Sequence, residues 1–348
     1  MRAGRGYGIG PDRVWESIPR PEAGRAWSTT ACPASNIAGR GDGRCWPRTA
    51  GATPTVETPR GQRWHSSLQQ HRPCPPPSNG PETPGITTRI DDLDACRSIA
   101  TLTISNPRKL NIVNAVLLES LTSQLRRLAE HETLRAAVLT GGPPAPGKAA
   151  SFIGGMDITE MSLLSSPAAA KALIRTIHAA CAAIRDLPVP VIAKVDGYCL
   201  GAGLEIAAAC DLRIATRRSV FGMPEVRIGI PSVIEAALLP GLVGMGRARR
   251  LVYLAESIDA VTAERWGLVE EVVETAEELE GKVGQWAEGI AGMGGRAMRS
   301  QKRLCRVWEE EGVEEGILAG VEAFGAAFQG SAGEEARRLM GEFVGRKR

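Results

Sequence analysis

The sequence predicts an α/β fold with a C-terminal helical extension, preceded by a disordered N-terminal segment. Three observations point there. Strand-like and helix-like hydrophobic periods alternate through the middle of the chain, helical periods dominate its last third, and residues 1–88 hold no period longer than a few residues. The expected division is therefore a disordered Pro/Gly/Arg-rich segment at 1–88 and one folded domain at 89–348.

In the N-terminal segment Pro, Gly, Ser and Arg dominate, as in the run Arg72-Pro73-Cys74-Pro75-Pro76-Pro77-Ser78-Asn79-Gly80-Pro81. Such a composition buries too little apolar surface to offset the entropy of ordering. Trp15, Trp27, Trp46 and Trp64 are unusual in a segment of this kind. Three readings stand side by side: an organellar transit peptide, a flexible interaction tail, or a gene model that begins too early. The excess of Arg over Asp and Glu favours the first, whereas the Gly and Pro content spoils an amphipathic helix.

From Ile90 onward the pattern is regular. Ile99 to Ile104 alternates as a strand and is stopped by Asn106-Pro107. Leu117 to Leu128 has apolar residues at helical spacing, with Arg126 and Arg127 on the opposite face. Ala136 to Thr140 is a short apolar strand ended by Gly141-Gly142, residues 168–186 read as a helix, and Val189 to Val195 reads as a buried strand. An Ala-rich helix follows Leu200 and a strand spans Leu212 to Ala215. Beyond these, Gly281 to Met298 and Val313 to Phe328 form amphipathic helical stretches, expected to pack on the core or on a neighbouring subunit.

The composition narrows the function. An apolar fraction of 43% supports a sizeable core, and a formal net charge of +3 argues against a dedicated nucleic-acid binder. No apolar run reaches the roughly 18–20 residues that span a bilayer, so no membrane partner is expected. Eight cysteines occur without a Cys-x-x-Cys pair, which removes zinc-ribbon and dithiol-redox readings; Cys181, Cys199 and Cys210 lie in apolar stretches and read as small buried hydrophobes. A reducing, intracellular compartment is expected, mitochondrial or cytoplasmic. The last four residues, Gly345-Arg346-Lys347-Arg348, are not the peroxisomal Ser-Lys-Leu signal.

The chemistry must come from carboxylates and backbone. Of four histidines, His65 and His71 fall in the N-terminal segment, while His131 and His178 read as structural, so a Ser-His-Asp triad is not expected. Neither a phosphate-binding Gly-x-x-x-x-Gly-Lys loop nor a dinucleotide glycine fingerprint is present.

Three segments remain. In Ser151-Phe152-Ile153-Gly154-Gly155-Met156-Asp157-Ile158-Thr159-Glu160-Met161, two glycines bare the backbone N–H groups, and Asp157 with Glu160 predicts a capping box and a helix start. In Val195 to Asp211 a strand runs into Gly201-Ala202-Gly203 and then a helix whose positive end suits a developing oxyanion. Glu205 is the one charge between Asp196 and Asp211, and a buried carboxylate in an apolar helix needs a reason to be there. In Phe221 to Pro231, Glu225 follows a proline at a strand end and supplies a second carboxylate for acid–base work.

These segments, in this order, resemble the crotonase (enoyl-CoA hydratase/isomerase) superfamily. Its first oxyanion turn, roughly Phe-x-[Ala/Gly]-Gly-x-Asp-[Ile/Leu]-x-Glu-Met, is similar to Phe152 through Met161. Its second, Gly-Tyr-x-x-Gly-Gly-Gly-x-Glu-Leu, is similar to Gly197 through Ile206, with Ala202 at the middle glycine. Its Phe-Gly-x-Pro-Glu is matched at each specified position by Phe221 to Glu225. Asn106 to Asn111 looks like the family's early Asn/Pro segment, and Trp266 to Glu270 like its approach to the C-terminal helices.

The resemblance implies a crotonase-like core of ββα repeats with a C-terminal helical extension. It implies that the N–H groups of Gly154 and Ala202 hold a thioester oxygen. Glu205 and Glu225 correspond to the two hydratase carboxylates, and Phe152, Gly155, Asp157, Gly201 and Glu235 line the substrate. The implied reaction is hydration of a 2-enoyl-CoA. The alternatives are isomerisation of a 3-enoyl-CoA to the 2-enoyl form, dehydration of a modified acyl-CoA, or non-catalytic acyl-CoA or RNA binding on the same fold. Coenzyme A enters as part of the substrate, with no metal or separate cofactor, and a homotrimer or dimer of trimers is implied. One departure stands out. Where the family has a Gly-rich stretch this chain has Pro231-Ser232-Val233-Ile234-Glu235-Ala236-Ala237, making Glu235 either a third acid–base group or a paired structural carboxylate.

Overall fold

The computed structural model describes residues 83–345. Most of the N-terminal segment, with its expected disorder and its tryptophans, lies outside the described residues. Its last few residues do not: β1 (Gly85–Asp94) starts four residues ahead of the expected boundary. This strand pairs antiparallel with β2 (Arg97–Ser105) at the sheet edge and is mostly exposed, so it has no apolar period to read.

Helix α1 (Ala115–Ala129) starts where the Asn114 side chain accepts the Leu117 N–H, and β3 (Leu134–Gly141) follows it. Then come β4 (Ser151–Ile153), the short α2 (Ile158–Ser162) and α3 (Pro167–Asp186). Ser166 caps α3, Pro167 fills its first turn, and the helix stops two residues short of Pro188. Next are β5 (Val191–Val195), β6 (Tyr198–Leu200), α4 (Ala202–Ala209), β7 (Leu212–Thr216) and β8 (Val220–Gly222). Two 3-10 turns, Glu225–Ile228 and Ile234–Leu238, lead into α5 (Leu239–Val243) and α6 (Met245–Leu254). The order closes with β9 (Ser257–Asp259), α7 (Ala260–Trp266), β10 (Glu271–Val273), α8 (Ala276–Ala291), α9 (Gly295–Glu310), α10 (Val313–Ala326) and α11 (Gly330–Gly345). The stretch expected as one helix from Gly281 to Met298 is two, broken at Gly292-Met293-Gly294, where two glycines weaken the helical backbone.

The strands form two sheets, one ordered β1-β2-β3-β5-β7-β10 and the other β4-β6-β8-β9. Each repeat puts its first strand in the large sheet and its second in the small one, then adds a helix: β3-β4-α3, β5-β6-α4, and β7-β8 followed by α5 to α7. This is the ββα repeat that the resemblance implies. The alternation of side chains along the strands divides the interior in two. Leu102, Leu139, Ala193 and Ala215 join the main core between the sheets and α1, α3 and α4. Their sequence neighbours Val138, Ile192 and Ile214 face the other way, against Leu279, Val283 and Ala287 of α8.

Two buried cations pin the outer elements. Arg213 donates to Leu268 O, Ala207 O and Cys210 O and pairs with Glu270 at 2.6 Å, closing the C-terminal end of α4. Lys302 of α9 donates to Ile184 O, Val189 O and Asp211. Cys181, Cys199 and Cys210 are buried, and burial pushes the Cys210 thiol up to about 12, in keeping with inert packing residues. Among the described residues, no helix is long and apolar enough to cross a membrane.

Candidate active site

The three segments singled out in the sequence leave the same edge of the small sheet. Strands β4, β6 and β8 run parallel and adjacent, pairing Ser151 with Tyr198 and Leu200 with Gly222. Residues 154–157, 201–205 and 223–225 therefore emerge side by side at the strands' C-terminal ends, the usual place for ligand chemistry in parallel sheets.

The first turn is set by the Asn/Pro segment. Asn111 is buried; its amide donates to Gly142 O at 2.8 Å and Ser151 O at 2.7 Å, while its carbonyl accepts the Asn106 N–H at 2.8 Å. Leu110 and Asn111 both sit in left-handed conformation, with φ of 53° and 51°. That backbone aims the Leu110 carbonyl at Gly154, whose N–H donates to it at 2.9 Å. The expectation that the Gly154 N–H holds a substrate oxygen is thus corrected, because that hydrogen already has an acceptor. Val113 grips the turn on either side of Met156, through its N–H to Gly155 O and its O to the Asp157 N–H. The N–H of Met156 itself has no acceptor among the described residues. The Gly155 N–H likewise has none among the described residues, so the turn leaves these two donors free.

The other expectations for the turn divide. Asp157 caps α2 through the Thr159 N–H and pairs with Lys109 at 3.2 Å, so it organises the turn. Glu160 does not complete a reciprocal box; it accepts the Ala115 N–H and caps α1 instead. Phe152 is fully buried in the core and presents no surface to a ligand, a correction to its expected substrate-binding role. Gly155, with φ of +120°, packs against the Leu200 carbonyl of the second turn.

In the second turn Gly201 is the N-cap of α4, at φ of 52°, and its own N–H donates to Gly222 O. The N–H of Ala202 has no acceptor among the described residues. Gly203 is required by space: a Cβ there would lie 2.1 Å from Ile153 O. Gly203→Ala is therefore expected to lower stability by at least about 2 kcal/mol through overpacking, read as a drop in thermal midpoint.

Both expected catalytic carboxylates converge here. Glu205 is 4% exposed and its Oε1 accepts the Ala236 N–H at 3.3 Å. Burial, followed by repulsion from Glu225, holds its carboxyl up at about 8, with Glu235 adding to the effect. Glu225 accepts the Ser232 hydroxyl on Oε2 at 2.8 Å, and its Oε1 lies over Gly201, 2.5 Å from where a Cβ would stand. Gly201 is thus needed twice, for its backbone angle and for the carboxylate above it. Glu235 is also buried, but its carboxylate turns to α3 and meets His178 Nδ1 at 2.7 Å. An apolar groove runs past the same loop, lined among others by Val233, Ala237, Ala248 and Val252, together with Ser232 and Ala236. Its wall therefore includes the two residues that donate to Glu225 and Glu205.

The family model described as enoyl-CoA hydratase/isomerase matches residues 94–336. This chain belongs to the enoyl-CoA hydratase/isomerase family. The short-chain-enoyl-CoA hydratase of Clostridium acetobutylicum is 32% identical over 251 residues, covering 72% of this chain and 92% of that protein. The crotonyl-CoA hydratase of Syntrophomonas wolfei is 33% identical over 239 residues, covering 68% and 88%. Among solved structures, an enoyl-CoA hydratase from Bacillus anthracis superposes with a TM-score of 0.66 at 28% identity, covering 73% of this chain and 96% of that one.

Sequence reasoning missed several members of this enoyl-CoA hydratase/isomerase site. Ser232 and the Ala236 N–H were hidden in the stretch that departs from the family pattern, where neither residue type signals a role. His178 was set aside as structural; no spacing rule links it to Glu235, 57 positions away. Met156 was missed because a backbone donor leaves no trace in its side chain.

Proposed function

We propose that this protein is an enoyl-CoA hydratase, adding water across the 2,3 double bond of a 2-enoyl-CoA thioester. The observation that carries this reading is the pairing of Glu205 and Glu225 beside the free N–H groups of Met156 and Ala202. Burial, and after it the nearby Glu225, hold the Glu205 carboxyl up at about 8, so Glu205 keeps its proton near neutral pH. One carboxyl can then deliver a proton to C2 while the ionised one takes a proton from the water attacking C3. Negative charge builds on the thioester oxygen during this step, and the two N–H groups are the donors that receive it. One such donor is worth about 3–4 kcal/mol in acyl chemistry. Homologues named as hydratases support the same assignment.

The acyl chain is assigned to the groove beside Ser232 and Ala236. Ala237→Trp, which fills the groove, is expected to lower kcat/KM for long-chain 2-enoyl-CoAs by about tenfold or more while sparing crotonyl-CoA, as for methylene discrimination in apolar pockets. Equal loss for both lengths would remove the groove from the acyl path. The exposed apolar face of α10, with Val313, Ile317, Val321 and Phe324, supports assembly as a homotrimer or dimer of trimers. The reading is tested by offering the full chain a panel of 2-enoyl-CoAs and 3-enoyl-CoAs and following loss of the conjugated double bond from the former and its formation from the latter. Consumption of 2-enoyl-CoA upholds hydratase. Conversion of 3-enoyl-CoA alone puts an isomerase in its place, and binding without turnover makes the protein a non-catalytic acyl-CoA binder.

A further inference from the structure

We propose that Ser232 is a positioning residue for the hydration, its hydroxyl fixing the Glu225 carboxylate in the place where it acts. The proposal rests on the two-carboxylate reading above and deepens it. Ser232 Oγ donates to Glu225 Oε2 at 2.8 Å. Among the described residues no other hydrogen bond reaches the Glu225 side chain, so this hydroxyl is its one anchor there. The other oxygen, Oε1, stands over Gly201, next in sequence to Ala202 with its free N–H. One oxygen of the carboxylate is thus held while the other faces the second turn.

The backbone builds this contact. Glu225 opens a 3-10 turn that ends at Gly229, whose φ of 80° is left-handed and free of strain for glycine. The chain then doubles back, and the Ile230 N–H donates to Glu225 O at 3.3 Å. Pro231, whose ring fixes its own φ, leads into Ser232 beside the carboxylate. Further along the same loop the Ala236 N–H donates to Glu205 Oε1, so one short segment grips both carboxylates. Between the two donors Ile234 sits at φ of 44°. That is a strained conformation for a β-branched side chain, and such strain gathers where a site needs a fixed geometry.

A serine kept for the loop alone most simply turns its hydroxyl to a nearby backbone group. Ser232 instead donates to a side-chain carboxylate, a stronger kind of bond than one between neutral groups. The sequence points the same way. Ser232 lies in the stretch that departs from the family's Gly-rich pattern, and a glycine there would have no hydroxyl to give. The need for an anchor is physical. A glutamate side chain has several rotatable bonds, and without a partner it spreads over many rotamers. Proton transfer requires hydrogen-bond reach, about 2.6–3.2 Å, so a carboxylate that strays from its place spends little time able to react.

The test follows crotonyl-CoA hydration by the full chain carrying Ser232→Ala, Ser232→Thr or Ser232→Val. Ser232→Ala is also combined with Glu225→Ala, and that pair is compared with Glu225→Ala alone at high enzyme concentration. Thr keeps the hydroxyl, and Val has nearly its shape without it. Ser232→Ala and Ser232→Val are expected to lose about tenfold or more in kcat at unchanged KM and with little change in thermal midpoint, while Ser232→Thr stays within about threefold of wild type. Added to Glu225→Ala, loss of the hydroxyl should cost nothing further, because no carboxylate is left to position. A wild-type kcat in Ser232→Ala overturns the proposal, and so does a Thr variant that falls as far as Val. A second tenfold loss on top of Glu225→Ala overturns it as well, since the hydroxyl would then act elsewhere. A wild type that hydrates nothing overturns the hydratase reading and the proposal together; an active wild type with indifferent variants overturns the proposal alone.

Discussion

Replacing Glu205 by Gln is expected to lower kcat for crotonyl-CoA hydration by roughly two to four orders of magnitude, the range for loss of a positioned general acid or base. Gln keeps the shape, and its amide oxygen can still accept the Ala236 N–H that Glu205 accepts at 3.3 Å. What it loses is the proton. Glu225→Gln should fall as far, although it retains an acceptor for the Ser232 hydroxyl. The double variant should be little worse than either single one, because the two carboxyls act as a unit and their losses do not add. KM should change little in all three, since no carboxylate is assigned to holding coenzyme A. A loss confined to one variant would leave a single working carboxylate and favour isomerase chemistry.

The same Glu205→Gln substitution should make the folded protein more stable at alkaline pH. The carboxyl of Glu205 stands at about 8 in the fold against 4.5 in a solvated chain, for which burial is the first cause and Glu225 the second. Below the lower value both states hold the proton and nothing is lost. Between the two values the unfolded chain ionises while the fold keeps its proton, so stability falls as pH rises, and above the upper value the loss is complete. Each pH unit of that window costs about 1.4 kcal/mol, so the full penalty is on the order of 5 kcal/mol. Gln carries no such penalty. Thermal melts should coincide near pH 4 and separate in favour of the variant at pH 8 to 9, by several degrees. Parallel melts at every pH would mean that Glu205 ionises as an ordinary carboxylate, and its retained proton near neutral pH would be withdrawn. Higher stability with lost activity is the trade expected where a fold holds strained groups for chemistry.

The sequence carried the fold well wherever a period is imposed by burial on one face. The strand at β2 and the helices α1 and α3 are legible because their apolar residues repeat at intervals of two or near four, and β5 and β7 because they are short apolar runs buried on both faces. Strand β1 was hidden because it lies exposed at a sheet edge, and the break between α8 and α9 because amphipathic spacing continues across it. The site was legible in part for a chemical reason. A lone glutamate in an apolar helix is visible in one dimension, and the structure buries Glu205 beside Glu225 and Glu235 as that anomaly implies. Backbone donors are not visible in the same way. The choice between Gly154 and Met156 depends on where the Leu110 carbonyl points, which the left-handed backbone at Leu110 and Asn111 decides. His178 needed the packing of α3 against the Ile234–Leu238 turn before its link to Glu235 could be seen.

The most direct test of the central claim is the product formed from crotonyl-CoA by the full chain in heavy water, read by mass spectrometry. Hydration through the two carboxylates should give 3-hydroxybutyryl-CoA carrying one deuterium at C2 and an oxygen from solvent at C3. Crotonyl-CoA recovered without added water, whether untouched or merely deuterated, would contradict the account.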